Sequence, residues 1–254
     1  MTPSRRIFLQ WLAGAPLLVF GVDAKAHNAS RIARLIEEAR TYPDVSRRID
    51  FISRALLGMR YRADTLIGGP RRPEVFVVRD DAFDCVTYCE TVLAAALAKD
   101  LREFEGILLR IRYEHGKVRW DERNHYFADW NDRIVEKHIC RPVEMSPSVA
   151  IEKTVDGELG PRKVSITGIA PSTLMANRQL LRNGDVIGFV SRRSRLDFFH
   201  AGFIAFAKKG TLLLRHASQS HGRVVDEDMQ AFLAANGVRY VTLLRAEDQM
   251  TANG

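Results

Sequence analysis

The 254-residue sequence holds only three cysteines, Cys85, Cys89 and Cys140. An odd number this small excludes a fully paired disulfide framework. No apolar run reaches about eighteen residues, so a membrane-spanning helix is not expected. A strong charge bias is missing as well. There are 38 Lys+Arg against 31 Asp+Glu, a net +7, and the densest clusters are only Arg71-Arg72 and Arg192-Arg193-Ser194-Arg195. Nucleic-acid proteins concentrate their positive charge on one element, so no nucleic-acid partner is expected. The mild excess suits an anionic cell-envelope polymer equally well. With 46% apolar and 27% charged residues the chain is of a folding type, long enough for one large domain or two small ones.

The first 26 residues read as a leader rather than as part of the fold. Ser4-Arg5-Arg6-Ile7-Phe8-Leu9 is followed by an apolar stretch from Trp11 to Val22 and then by Ala24-Lys25-Ala26. A basic head, a short apolar middle and small residues at −3 and −1 describe a cleavable export signal, here cut after Ala26. The paired arginines resemble a twin-arginine signal, which implies a periplasmic destination. Without these residues the remainder, 27–254, carries +5.

Within 27–254, apolar spacing predicts helices over 28–41 and from Pro43-Asp44 to Gly58. Residues 61–82 read as loop with a short strand near Val75–Val78. A strong helix starts after the N-cap Asp84 and runs to Leu97. Another follows Asp100, with Leu101, Phe104, Leu108 and Ile111 as its stripe. The segment 113–170 reads as an insertion, polar and aromatic to about 140 and irregular or edge-strand from Pro147 to Pro171. After Gly184 come short apolar runs, Val186–Val190, Ala201–Ala207, Leu212–Leu214 and Tyr240–Leu244, spaced like a meander. Helices first and strands second give an α+β fold in a single domain.

Cys85 falls one residue into the helix capped by Asp84. The helix dipole there favours the thiolate, and the first-turn N–H groups are free to serve an oxyanion. Cys89 lies one turn on and reads as core-facing. Read as soft ligands, Cys85, Cys89 and a histidine would instead make a metal site, though zinc-like Cys-x-x-Cys spacing is missing. Of seven histidines, His200 opens one apolar strand and His216 closes the next. A hairpin turning at Lys208-Lys209-Gly210 brings the two together, one as base and one to orient it.

Four stretches now stand in order: Asp84-Cys85-Val86-Thr87, Asn183-Gly184-Asp185-Val186-Ile187, His200-Ala201-Gly202-Phe203-Ile204 and His216-Ala217-Ser218. This order resembles the NlpC-type papain-like peptidoglycan hydrolases. Gly58-Met59-Arg60-Tyr61 resembles their Gly-x-Pro-Tyr stretch, with Arg60 in place of proline. The continuation Val-Thr-Tyr-Cys-Glu and the segment Arg123-Asn124-His125-Tyr126-Phe127-Ala128-Asp129-Trp130 resemble the N-acetylmuramoyl-L-alanine amidase-like branch.

The resemblance implies a papain-like fold, with the nucleophile at a helix N-terminus packed on an antiparallel sheet. It implies Cys85 as nucleophile, His200 as base, His216 as orienting group and Tyr61 near the oxyanion. Asp84, Arg123, Asn124, His125, Tyr126 and Trp130 are expected to meet substrate: Arg123 by pairing a carboxylate, Tyr126 or Trp130 by stacking on a sugar. Val86-Thr87 replaces the Ser-Gly of the endopeptidases, which fits a substrate whose L-Ala is still acylated. The expected reaction is hydrolysis of the amide joining N-acetylmuramic acid to L-Ala in muropeptides, without metal or organic cofactor. A γ-D-glutamyl endopeptidase of the same superfamily and a non-catalytic murein-binding protein are the other readings.

Overall fold

The structure is a computed structural model that describes residues 24–156 and 160–248, with side chains from Arg31 onward. The expected leader therefore lies outside the described residues apart from 24–26, which begin helix α1 (Ala24–Ala39). Helix α2 (Val45–Ala55) follows, its first turn capped by Asp44, which accepts from the Arg47 N–H. The loop expected next carries four short strands: β1 (Arg60–Tyr61), β2 (Ile67–Gly69), β3 (Arg72–Val75) and β4 (Ala82–Phe83). The strand expected at Val75–Val78 ends where it was to begin.

Helix α3 (Cys85–Leu97) is the centre of the fold. Every residue from Thr87 to Leu97 is buried; most are apolar, and the one charge among them, Glu90, is paired with Arg112. Around it lie α1, α2, α4 (Leu101–Arg112) and α5 (Phe127–Glu136). Helix α5 falls in the stretch expected to be a polar connector; Phe127, Trp130 and Ile134 form the buried stripe that makes it helical. The segment expected to be irregular holds β5 (Cys140–Pro142) and a regular hairpin of β6 (Ser148–Val155) and β7 (Arg162–Ile169). Along β7, Val164 and Ile166 turn inward between exposed Lys163, Ser165 and Thr167, a period-two pattern.

The remaining elements are α6 (Pro171–Ala176), β8 (Val186–Val190), β9 (Phe198–Phe206), β10 (Leu212–Ser218), β11 (Arg223–Asp228), α7 (Met229–Ala235) and β12 (Val241–Ala246). They complete a sheet ordered β4-β1-β11-β10-β9-β8-β12-β7-β6, with β5 beside β12 and only β1–β4 parallel. Alternate residues of β8 serve two cores, so the strand is buried on both faces. Val186 joins Phe203 in the core that packs α1 to α5, while Ile187 and Phe189 join Leu174, Phe232 and Leu233 of α6 and α7. The fold is α+β, as the order of elements implied, with a helical layer on each face of its sheet.

Arg215, the residue before His216 on β10, ties the sheet to helix α2 on the opposite face from the histidines. Its buried guanidinium takes Asp226 of β11 with both Nε and Nη2, at 2.6 and 2.8 Å, and Asp50 of α2 with Nη1 at 2.9 Å. A buried charge of this kind is tolerable because every side of it is paired.

Candidate active site

Cys85 is the first residue of α3. Asp84 caps the helix: its Oδ1 accepts from Val86 N–H at 3.0 Å and Thr87 N–H at 2.8 Å, and Thr87 Oγ1 accepts from Asp84 N–H in return. Thr65 Oγ1 donates to the second oxygen at 2.8 Å. Asp84 thus has both oxygens engaged inside the protein, where it caps the helix and lines the pocket described below.

The Cys85 thiol is half-buried between α3 and β9. The N–H groups of Ala201, Cys85 and Val86 point at its sulfur and favour the thiolate. Burial and the adjacent Asp84 carboxylate act the other way and win, raising the thiol to about 12. The low thiol pKa expected from the helix dipole is therefore absent, because desolvation outweighs the dipole. Cys85 rests as a neutral thiol.

The N–H of Ala201 that reaches the sulfur belongs to the residue after His200. The β9–β10 ladder pairs Phe206 with Leu212 through to Phe203 with Arg215, and the two histidines lie just past its end on one face. His200 Nε2 is 2.6 Å from His216 Nδ1, the rings nearly perpendicular. His216 Nε2 is 3.2 Å from Glu227 Oε2 on β11. Phe189 and Phe232 pack on the pair. Burial, with His216 adding a smaller push, lowers His200 to about 3, and burial lowers His216 despite Glu227. Both are neutral at ordinary pH.

Gly202 makes the pair possible. A Cβ there would lie 2.8 Å from Arg215 O and 2.9 Å from His216 Cβ, so only hydrogen fits beneath the His216 ring. Tyr61 on β1 lies next to the thiol: burial first, then the charges of Cys85, Asp84 and Asp64, pushes its phenol up.

A pocket of about 570 Å³ opens beside Cys85. Arg123, Asn124, His125, Tyr126 and Trp130 all line it, as do Asp84 and Cys85, so the sequence motif and the thiol do meet. Each also has a partner within the protein. Arg123 Nη1 holds Glu74 Oε1 at 3.1 Å and so is already paired. Asn124 Nδ2 donates to Ile111 O at 3.0 Å, and His125 Nε2 meets Trp120 O at 2.6 Å. The Tyr126 ring has Arg162 over it. Trp130 is 0% exposed and stacks on Phe127 at 4.9 Å, so no open face remains for a sugar. The segment forms one wall of the pocket and holds it in shape.

A family model described as AmiA-like, N-acetylmuramoyl-L-alanine amidase-like, matches residues 51–238. The chain belongs to this amidase-like family. The fold agrees with solved structures: a Legionella pneumophila protein of the family model DUF1460 is 23% identical with a TM-score of 0.76, covering 86% of this chain and 94% of that one. A Bacteroides uniformis N-acetylmuramoyl-L-alanine amidase is 24% identical with a TM-score of 0.66, covering 77% and 97%. Another structure of such an amidase from B. uniformis is 24% identical with a TM-score of 0.67, covering 85% and 99%. Among curated proteins, no sequence matches.

Sequence reasoning missed Glu227 in this amidase-like chain. Its signal was present: Val225 and Glu227 alternate with Val224, Asp226 and Asp228 after Gly222, and β11 sets Val225 opposite His216. Alternation then puts Glu227 on the histidine face. The metal reading finds no support in the geometry. Cys89 is fully buried in the core, and among the described residues no group of three His, Cys, Asp or Glu side chains is placed to hold a metal ion. Nor, among them, is any helix long and apolar enough to cross a membrane.

Proposed function

We propose that this amidase-like protein is an exported cysteine hydrolase that cleaves the amide between N-acetylmuramic acid and L-Ala in muropeptides. The observation that carries the reading is the chain from Glu227 through His216 to His200, ending beside the Ala201 N–H that meets the Cys85 sulfur. Membership of the amidase-like family supports the linkage and the substrate class. The leader-like first 26 residues support delivery to the periplasm.

The chemistry follows from the neutral resting state. With His200 Nδ1 unprotonated, its Nε2–H donates to His216 Nδ1, and the Nε2–H of His216 donates to Glu227. That tautomer leaves Nδ1 of His200 as the one free base. It takes the thiol proton as sulfur attacks the lactyl carbonyl, so charge develops only when substrate is present. The carbonyl oxygen gathers negative charge beside the Cys85 N–H and the Tyr61 hydroxyl. The imidazolium, stabilised through His216 by Glu227, returns its proton to the departing L-Ala nitrogen as the C–N bond breaks. Water then hydrolyses the thioester, with His200 again as base, and frees the thiol.

The test is mass spectrometry of a disaccharide-tetrapeptide muropeptide incubated with the protein and, in parallel, with Cys85→Ala. The expected products are free tetrapeptide and disaccharide from the parent protein alone. A disaccharide-dipeptide would move the cleaved bond to the γ-D-glutamyl linkage. Equal turnover by a folded Cys85→Ala variant would remove the nucleophile and with it the mechanism.

A further inference from the structure

Five charged side chains line the pocket beside Cys85: Asp64, Arg72, Asp84, Glu90 and Arg123. Three are consumed within the protein. Asp84 caps α3 and takes Thr65; Glu90 holds buried Arg112 at 2.8 Å; Arg123 holds Glu74. Asp64 lies at the Cys85 end, close enough to Tyr61 to contribute to holding its phenol up. Arg72 is different. It opens β3 opposite Gly69, on the hairpin that forms the other wall, is exposed, and its guanidinium makes no hydrogen bond or ion pair among the described residues. The same pocket is lined by Trp130, whose fully buried indole Nε1 has no partner.

We propose that Arg72 is the specificity residue of this site and binds a carboxylate of the substrate's stem peptide. The inference deepens the function proposed above and rests on it for the identity of the substrate. An unpaired guanidinium in a pocket shared with a nucleophile is a ready fork for a planar anion. Asp64 sets the polarity of the pocket: its charge repels a carboxylate from the thiol end, so the anion belongs at the hairpin end, one residue or more from the scissile amide. A stem peptide continuing past L-Ala through a γ-linked D-Glu carries a free α-carboxylate at such a remove. A diamino acid further along carries another. The shared chemistry is a carboxylate several bonds from the cleaved carbonyl.

Three substrates separate these sources: a disaccharide-dipeptide ending in D-Glu, the same compound with the D-Glu α-carboxylate converted to its amide, and a disaccharide-tetrapeptide. Kinetics of the parent protein, Arg72→Gln and Arg72→Lys are compared on all three. The parent is expected to favour the free acid, and Arg72→Gln to lose about tenfold or more on it, mainly in KM, so that the preference collapses. Arg72→Lys should recover part of the preference, which a merely structural arginine would not do. If the amide is favoured equally but a tetrapeptide still depends on Arg72, the carboxylate is that of the diamino acid. An unchanged preference in Arg72→Gln on all three compounds overturns the proposal. Calorimetric binding of the same compounds to Cys85→Ala, with and without Arg72→Gln, reads recognition without turnover. Loss of binding with Arg72→Gln in a protein that cleaves none of them would keep the carboxylate site and overturn the proposed reaction instead. Binding indifferent to Arg72 would overturn the carboxylate site alone.

Discussion

His216 offers Nδ1 to His200 at 2.6 Å and Nε2 to Glu227 at 3.2 Å, so a single buried ring is held from both ends. Neither nitrogen is left to choose its tautomer, and the base it supports inherits that order. The arrangement has a measurable consequence at Glu227, which touches no reacting atom. Glu227→Gln keeps the shape but can present an amide N–H to His216 and reverse the direction of donation. The expected result is a fall in kcat of about 10- to 100-fold with KM little changed. Thermal unfolding of the variant should stay close to that of the parent. Loss of KM alone would assign Glu227 to substrate binding.

The resting thiol makes a prediction about reactivity. With Cys85 raised to about 12, alkylation by iodoacetamide at pH 7 should be slow even in a fully active protein. Slow alkylation therefore does not distinguish a binding protein from an enzyme here. Asp84→Asn isolates one cause. Asparagine still caps the helix, at little cost in stability, but the charge beside the sulfur is gone. Alkylation at a fixed pH should speed up, and a rate unchanged in a folded Asp84→Asn protein would mean that burial alone holds the thiol up.

Gly202→Ala is expected to disturb the histidine pair from below. The new methyl would meet backbone at Arg215 O and the His216 Cβ, neither of which is a free side-chain end. A cost of roughly 1–3 kcal/mol, or a Tm lowered by roughly 2–10 °C, should accompany a loss of kcat beyond what unfolding explains. Scanning calorimetry and initial rates on the same preparation check both.

Acid should unfold the protein through these rings. His200 falls from an ordinary 6.5 to about 3, and burial lowers His216 too, so the unfolded chain binds the extra protons as pH drops below 6.5. Their contribution to stability is complete above that value and is lost on the way down to His200's own pKa, at up to about 1.4 kcal/mol per pH unit for each proton. Tm measured from pH 7 to 4 should fall, and His200→Gln should flatten that part of the curve.

What could be read in the sequence was whatever local pattern determines. The Asp84 cap and the apolar length of α3 set Cys85 at a helix start against β9, and the strand-turn-strand around Gly210 paired His200 with His216. Readings that depended on distant partners fared differently. Arg123 and Trp130 did reach the pocket, yet Glu74 and Phe127 had already taken the groups that were to meet substrate. The thiol pKa failed for a similar reason. A helix dipole is visible in sequence, whereas the desolvation produced by β9 closing over Cys85 is not. Helix α5 and strand β11 were legible by their periods and were obscured by polar neighbours.

The ladder between β9 and β10 runs from a turn only a few residues long, Ala207 to Thr211, closed by Ala207 N–H to Thr211 O at 3.0 Å. Slide β10 by one residue against β9 and His216 changes faces, with Arg215 or Ala217 taking its place beside His200. Within the lineage of this fold, insertions and deletions at that corner must therefore come in steps that preserve register. Divergence in chain length should be almost silent at this bend.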